Sequence, residues 1–204
     1  EVKRPDDGTS EESGGTDRAT DVTSVADTSK FELNVDTPSC SGSNAKIIDS
    51  NSDWNSINSG RFDVFCVKPG DYSGVGRVSI STSGSAGNRR YLVYDGPGTE
   101  HPVDRTGGER AVIPDLVLQG GASYWAVSGL EINMGRGASN NGIFVRRGAT
   151  NNIFDKMLVG GTESEYSAET PVRLAGNANT IQNSVVRKAL NAGGDRLCVE
   201  LKAE

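Results

Sequence analysis

The side chains with chemistry to offer crowd the second half of the chain: Arg146, Arg147, Lys156, Arg187, Lys188, Arg196, Glu200 and Lys202. In the run RLCVELKAE, strand alternation turns Leu197, Val199 and Leu201 to one side and Arg196, Cys198, Glu200 and Lys202 to the other. Glu200 and Lys202 then share an outward face. Arg187 and Lys188 close the preceding repeat, and Lys156, Arg146 and Arg147 lie one or two repeats earlier, so stacking places cations and a carboxylate in a strip along a groove. Such a strip neutralises a bound carboxylate or bridges it through calcium.

Other candidate chemistry is thinner. Gly74-Val75-Gly76 lacks a third glycine and a following helix, which excludes a dinucleotide loop. His101, the one histidine, precedes Pro102 in a polar stretch and reads as a surface-loop residue. With one histidine and no CxxC pair, zinc is excluded too. Glu163, Glu165 and Glu169 match no calcium loop and read as a solvated insertion. Tyr124 and Trp125 adjoin, so one ring faces the core and the other the surface, where it stacks on a sugar. Cys40 precedes the first structured element and Cys66 lies in the next apolar strand. A bridge between them pins the start of the fold and requires an oxidising compartment, leaving Cys198 reduced.

The elements that must position these groups are short. Gly supplies 26 of 204 residues, almost twice ordinary usage, and few residues are aromatic, which favours turn-rich β structure over a helix bundle. Residues 1–30 hold eight acids and four bases among Ser, Thr and Gly, and read as a disordered acidic linker. Residues 31–204 read as one domain. The net charge of −6 and the absence of a long apolar run argue against nucleic acid and a membrane span. In SNSDWNSINSG, Ser52 is the expected N-cap of a short capping helix over 50–60, with Trp54 and Ile57 on its apolar side. After it come strands of four to eight residues bounded by Gly, Asn or Pro.

These strands repeat. WAVSGLEI, NNIFDKML and NTIQNSVV align at 26–28 residues, which stacks Val127, Ile153 and Ile181, with Gly129, Asp155 and Asn183 two places on. Between them GIFVRRGATNN and PVRLAGNANT align with Gly148 over Gly176. A repeat of that length in short strands predicts an all-β fold, a right-handed parallel β-helix from about residue 62 that ends at Glu204 inside a coil.

The run DWNSINSGRFDVFCVKPGDYSG, with Pro69-Gly70-Asp71-Tyr72 closing a strand, then SGSAGN, LVLQGGASYWAVSGLEI and GGDRLCVELKA, resembles the pectate-lyase-like β-helix superfamily over residues 50–202, chiefly its alginate lyase and chondroitinase B branch. The resemblance implies a secreted or cell-surface bacterial protein that binds or cleaves an acidic polysaccharide by β-elimination, with calcium as cofactor. On that model Lys202 and Arg187 carry the chemistry, and Lys188, Arg146, Arg147, Lys156, Arg196 and Glu200 bind substrate. The alternative is a non-catalytic adhesive or structural module that self-associates through its open C-terminal coil.

Overall fold

The computed structural model describes residues 35, 38–98, 101–105, 107–133, 141–160, 170–187 and 199–201. All of them belong to the compact unit Asn34–Glu204. Apolar runs bounded by Gly, Asn and Pro become strands because β-branched and aromatic side chains fit a pleated surface while the bounding residues tolerate the bends. In chain order the strands are β1 (Ala45–Ile48), β2 (Val64–Val67), β3 (Gly70–Asp71), β4 (Arg77–Ile80), β5 (Arg90–Tyr94), β6 (Ala111–Ile113), β7 (Asp115–Leu118), β8 (Trp125–Ser128), β9 (Glu131–Ile132), β10 (Asn141–Val145), β11 (Ile153–Asp155), β12 (Leu158–Val159), β13 (Thr170–Leu174), β14 (Thr180–Gln182), β15 (Val185–Val186) and β16 (Val199–Leu201).

They form three sheets, ordered β1-β2-β5-β8-β11-β14, β3-β6-β9-β12-β15 and β4-β7-β10-β13-β16. We call these the first, second and third sheets. Every strand pairing in them is parallel. From β2 onward the chain visits first, second and third sheet in unbroken rotation. Among the described residues no helix is long and apolar enough to cross a membrane.

One apolar core joins the inward faces of all three sheets. In the first sheet Phe65, Leu92, Val127, Phe154 and Ile181 stand in register on successive strands. The expected column of Val127, Ile153 and Ile181 is therefore one residue out at its middle member. Ile153 pairs with Ala126, on the opposite face, and is nevertheless only 5% exposed. The first sheet buries part of its outer face as well, where Val64, Cys66 and Val93 pack with Cys40, Ala45, Ile47 and Tyr91. A parallel sheet covered on both sides carries apolar residues at adjacent positions, which conceals the phase.

The same correction moves the turn column. Gly129, Lys156 and Asn183 have positive φ (75°, 51° and 46°), whereas Asp155 is the last residue of β11 and accepts hydrogen bonds from Gln182 and Asn183. Gly176 is required by close approach, because a Cβ there would lie 1.9 Å from the Ala149 carbonyl oxygen.

At the N-terminal end Cys40 and Cys66 are joined by a disulfide, as expected. The predicted capping helix is a 3-10 turn, Asn51–Ser56, and its N-cap is Ser50 rather than Ser52. Asp53 decides the register: its carboxylate accepts from the Ser50 amide at 3.1 Å and from the Ser50 hydroxyl at 2.5 Å. Lys46, paired with it, and then Ser50 hold the Asp53 carboxyl far below its ordinary pKa. Beneath the turn Trp54 meets Tyr72 edge to face, with ring centres 5.6 Å apart. Burial pushes the Tyr72 phenol up to about 12, so it remains a donor, and it serves the Ile48 and Lys68 carbonyls.

Candidate functional site

Four turns, residues 81–89, 119–124, 146–152 and 175–179, carry the chain from the third sheet to the first and stack on one another. Their backbone is fixed by a repeated device. Tyr124, Asn151 and Ala178, each 27 residues from the next, adopt positive φ of 60°, 59° and 53° just before the first-sheet strands. Between the turns the fully buried Asn152 accepts from the Trp125 amide at 2.9 Å and donates to the Ala122 carbonyl at 3.0 Å and to Asn179 Oδ1 at 2.9 Å. Asn179 in turn donates to the Ala149 carbonyl at 2.9 Å. Ser123 and Thr150 add a hydroxyl contact at 3.2 Å, and the Tyr124 amide donates to the Thr150 carbonyl at 3.1 Å. Buried amides satisfied this fully make the corner a rigid platform.

The charge on that platform has one sign. The four turns contain Arg89, Arg146 and Arg147 and no Asp or Glu, although the whole chain carries −6. Arg146 and Arg147 are exposed and Arg89 is half-buried. Arg89 lies 5.8 Å from the centre of the Tyr124 ring and donates to the Asn151 carbonyl at 2.6 Å. On the outer face of the third sheet, the Phe144 ring holds Arg146 at 5.6 Å and Arg173 at 5.1 Å. A guanidinium from the turn after β10 and one from β13 are thereby brought to one ring. A guanidinium stays protonated at any working pH and offers a planar fork of donors that suits a carboxylate or sulfate. The half-exposed Tyr124 adds a flat surface for the CH face of a sugar.

Of the residues singled out in the sequence, Arg146 and Arg147 belong to this corner. Lys156 lies in a turn from first to second sheet, and Arg187 follows β15 in the second sheet, so these four do not share one strip. Lys188, Arg196, Lys202, Cys198 and the Glu163–Glu169 carboxylates lie outside the described residues. Glu200 pairs in register with Arg173, and Val199 and Leu201 stand over Val172 and Leu174, but both are exposed rather than buried as expected, at 39% and 73%. Trp125 is the core ring, its indole N–H donating to the Thr82 carbonyl at 2.7 Å. Tyr124 is the outer one, at a bend rather than in the strand. Sequence reasoning misses Arg89 and Arg173; the lack of acids in the four aligned turns is a signal that finds Arg89, and Arg173 lies in β13, outside them.

The first-to-second corner is built differently. The described residues between β5 and β6, 95–98, 101–105 and 107–110, form a strap over it. Arg105, 3% exposed, donates to the Gly129 carbonyl at 2.7 Å and lies 3.5 Å from the Tyr94 ring centre. His101 Nε2 meets the Asn183 carbonyl at 2.8 Å, so His101 is a half-buried latch and not a loose loop residue. Beside the strap a groove of about 370 Å³ is lined by Asp71, Arg110, Val112, Glu131 and Asn133. Its charges serve the protein: Arg110 pairs with Glu131 at 3.1 Å and donates to the Arg105 carbonyl. Cys40, Cys66 and Asp95 also cluster, but the sulfurs are bonded to each other and Asp95 pairs with Lys68 at 2.8 Å, so no metal centre results.

No protein-family model, no curated protein and no solved structure matches the chain.

Proposed function

We propose that this chain is an extracellular, right-handed parallel β-helix of the pectate-lyase-like kind that binds an acidic polysaccharide along its third-to-first corner. The carrying observation is the stack of four turns that bears arginines and no acid on an otherwise acidic protein. The cyclic visits to three parallel sheets support the solenoid, and the Cys40–Cys66 bridge supports an oxidising compartment. Arg146 and Arg147 pair with carboxylates or sulfates of the polymer, Arg89 with a neighbouring one, and Tyr124 packs on a sugar face. The role is binding. Elimination needs a base that accepts a proton near neutral pH, which guanidiniums do not supply. A corner without carboxylates takes a polyanion directly, so calcium is not required.

The test is retention on alginate, pectate and chondroitin sulphate with a chelator present. Binding is expected to weaken with salt, as ion pairing demands. The Arg146→Ala/Arg147→Ala double variant is expected to lose about tenfold or more in affinity, while Arg61→Ala, an exposed arginine stacked on Phe62, stays close to wild type. No retention on any of the three, or equal losses from both variants, overturns the proposal and leaves the adhesive or structural module standing. Near-ultraviolet absorbance of unsaturated product, followed in the same mixtures, reports any cleavage.

A further inference from the structure

A second cleft lies at the β4 edge. It has a volume of about 420 Å³ and lies between the 3-10 turn Asn51–Ser56 and residues 74–79. Its apolar lining is Ile57, Val75 and Val78, and its polar lining includes Asn51, Asn55, Asn58, Arg77 and Ser79. Some of these groups are already engaged. The Asn58 carboxamide substitutes for a missing strand, donating to the Ser79 carbonyl at 2.8 Å and accepting from the Ser81 amide at 2.7 Å. The Ser79 hydroxyl accepts from Gln119 at 2.6 Å. Arg77 Nε pairs with the buried Asp115 at 3.0 Å, which offsets its charge, and the Arg77 side chain as a whole is 42% exposed.

Others are unused. Trp54, 5% exposed, lines the cleft, and its buried indole N–H has no acceptor among the described residues. An unmade hydrogen bond on a buried donor costs about 1–3 kcal/mol. Its neighbour Tyr72 and the other tryptophan, Trp125, both have their donors satisfied. The exposed Asn51 and Asn55 side chains also project at the cleft, so amide donors and acceptors, an ion-paired guanidinium and an indole N–H surround an apolar floor. That set suits hydroxyl groups, which donate and accept at once, carried on a ring with a CH face; it does not suit an anion.

We infer that this cleft binds a neutral saccharide unit, with a sugar oxygen accepting from the Trp54 indole N–H. The nitrogen is closed off from bulk water, so the sugar reaches it only as the residues over it move. This site is separate from the cationic corner in place and in ligand charge, and stands or falls without it.

Two tryptophans make the test specific. In the full-length protein labelled with 15N, two indole resonances are followed while cellotetraose, xylotetraose, mannotetraose or mannitol is added to about 10 mM, well above a weak-site Kd of about 1 mM. The expected result is a saturable shift of the Trp54 indole with at least one tetrasaccharide and not with mannitol, while Trp125 stays put. Asn55→Ala and Arg77→Gln are expected to weaken that shift by fivefold or more, and Arg146→Ala to leave it alone. No saturable Trp54 shift with any tetrasaccharide overturns the inference, as does a shift that both cleft variants leave unchanged. If Arg77→Gln loosens the fold, Asn55→Ala, which removes only an exposed amide, still decides the question.

Discussion

The two corners that flank the first sheet perform the same turn with left-handed residues at matching intervals, and treat charge in opposite ways. At the first-to-second corner, Gly129 and Asn183 are held by the strap through Arg105 and His101, and Arg110 is spent on Glu131 and the strap backbone. At the third-to-first corner the turns hold themselves up through Asn152, Asn179, Ser123 and Thr150, and of the three arginines they carry only Arg89 is seen in a backbone bond, to Asn151. Charges used as struts are lost to ligands. Neutral amides that do the structural work leave arginines available, which is why the proposed ligand surface lies on the self-supporting corner and not in the groove beside the strap.

The sharpest way to break this contrast is to attack the self-supporting corner itself. Gly176→Ala drives a methyl group to 1.9 Å from a backbone oxygen that belongs to the turn below, and backbone does not yield as a flexible side chain does. The expected cost is about 3 kcal/mol, read by chemical denaturation. Asn152→Ala comes next, at about 2 kcal/mol, because it strands the buried Trp125 amide and the Ala122 carbonyl together. If either variant denatures with the wild type, the corner is not the rigid platform described here.

The strap answers to a smaller change. Arg105→Ala removes the bond to Gly129 and the contact with Tyr94, and is expected to cost about 1–2 kcal/mol. Amide exchange within 95–110 is expected to quicken while exchange at 146–152 and retention on acidic glycans are unaltered. Faster exchange at both corners would show that the two are mechanically one, and would remove the distinction drawn between them.

Much of this was legible in advance, for reasons that individual residues make plain. The 27-residue period is visible because Val127 and Ile181 each sit between Gly- and Asn-rich bends, and the Cys40–Cys66 bridge follows from where the first strands fall. Phase was the weak point. Ile153 and Phe154 are both apolar because both faces of the first sheet are covered, so alternation gives no reading there. Ser52 is the expected cap, and the reach of Asp53 back to the Ser50 amide moves the helix start two residues earlier. Arg146 and Arg147 stand out as candidates in the sequence because they lie one or two repeats before Arg187 and Lys188. Arg89 does not, because the next turn follows at 35 residues rather than 27 along the strands it joins, and this hides the alignment. The latch of His101 on Asn183 spans 82 residues and leaves no local trace.

The smallest expected effect asks whether the left-handed ladder stores strain or merely borrows tolerant residues. Asn151 belongs to a type that visits this region readily, and Tyr124 gains a stacked arginine. Ala178, at φ 53°, has neither advantage, and its exposed methyl group buries nothing in return. A left-handed alanine costs roughly 1–2 kcal/mol, and a glycine in its place gives back about 0.5–1 kcal/mol of that through the extra freedom of the unfolded chain. Ala178→Gly is therefore expected to stabilise the protein by about 0.5 kcal/mol, a rise in Tm of roughly 1–2 °C. The matching change at the strapped corner, Lys156→Gly, gains less, because Lys156 is only half exposed and surrenders contacts along its stem. A stabilisation larger at Lys156 than at Ala178 would mean that strain is concentrated under the strap, and that the strap is there to contain it.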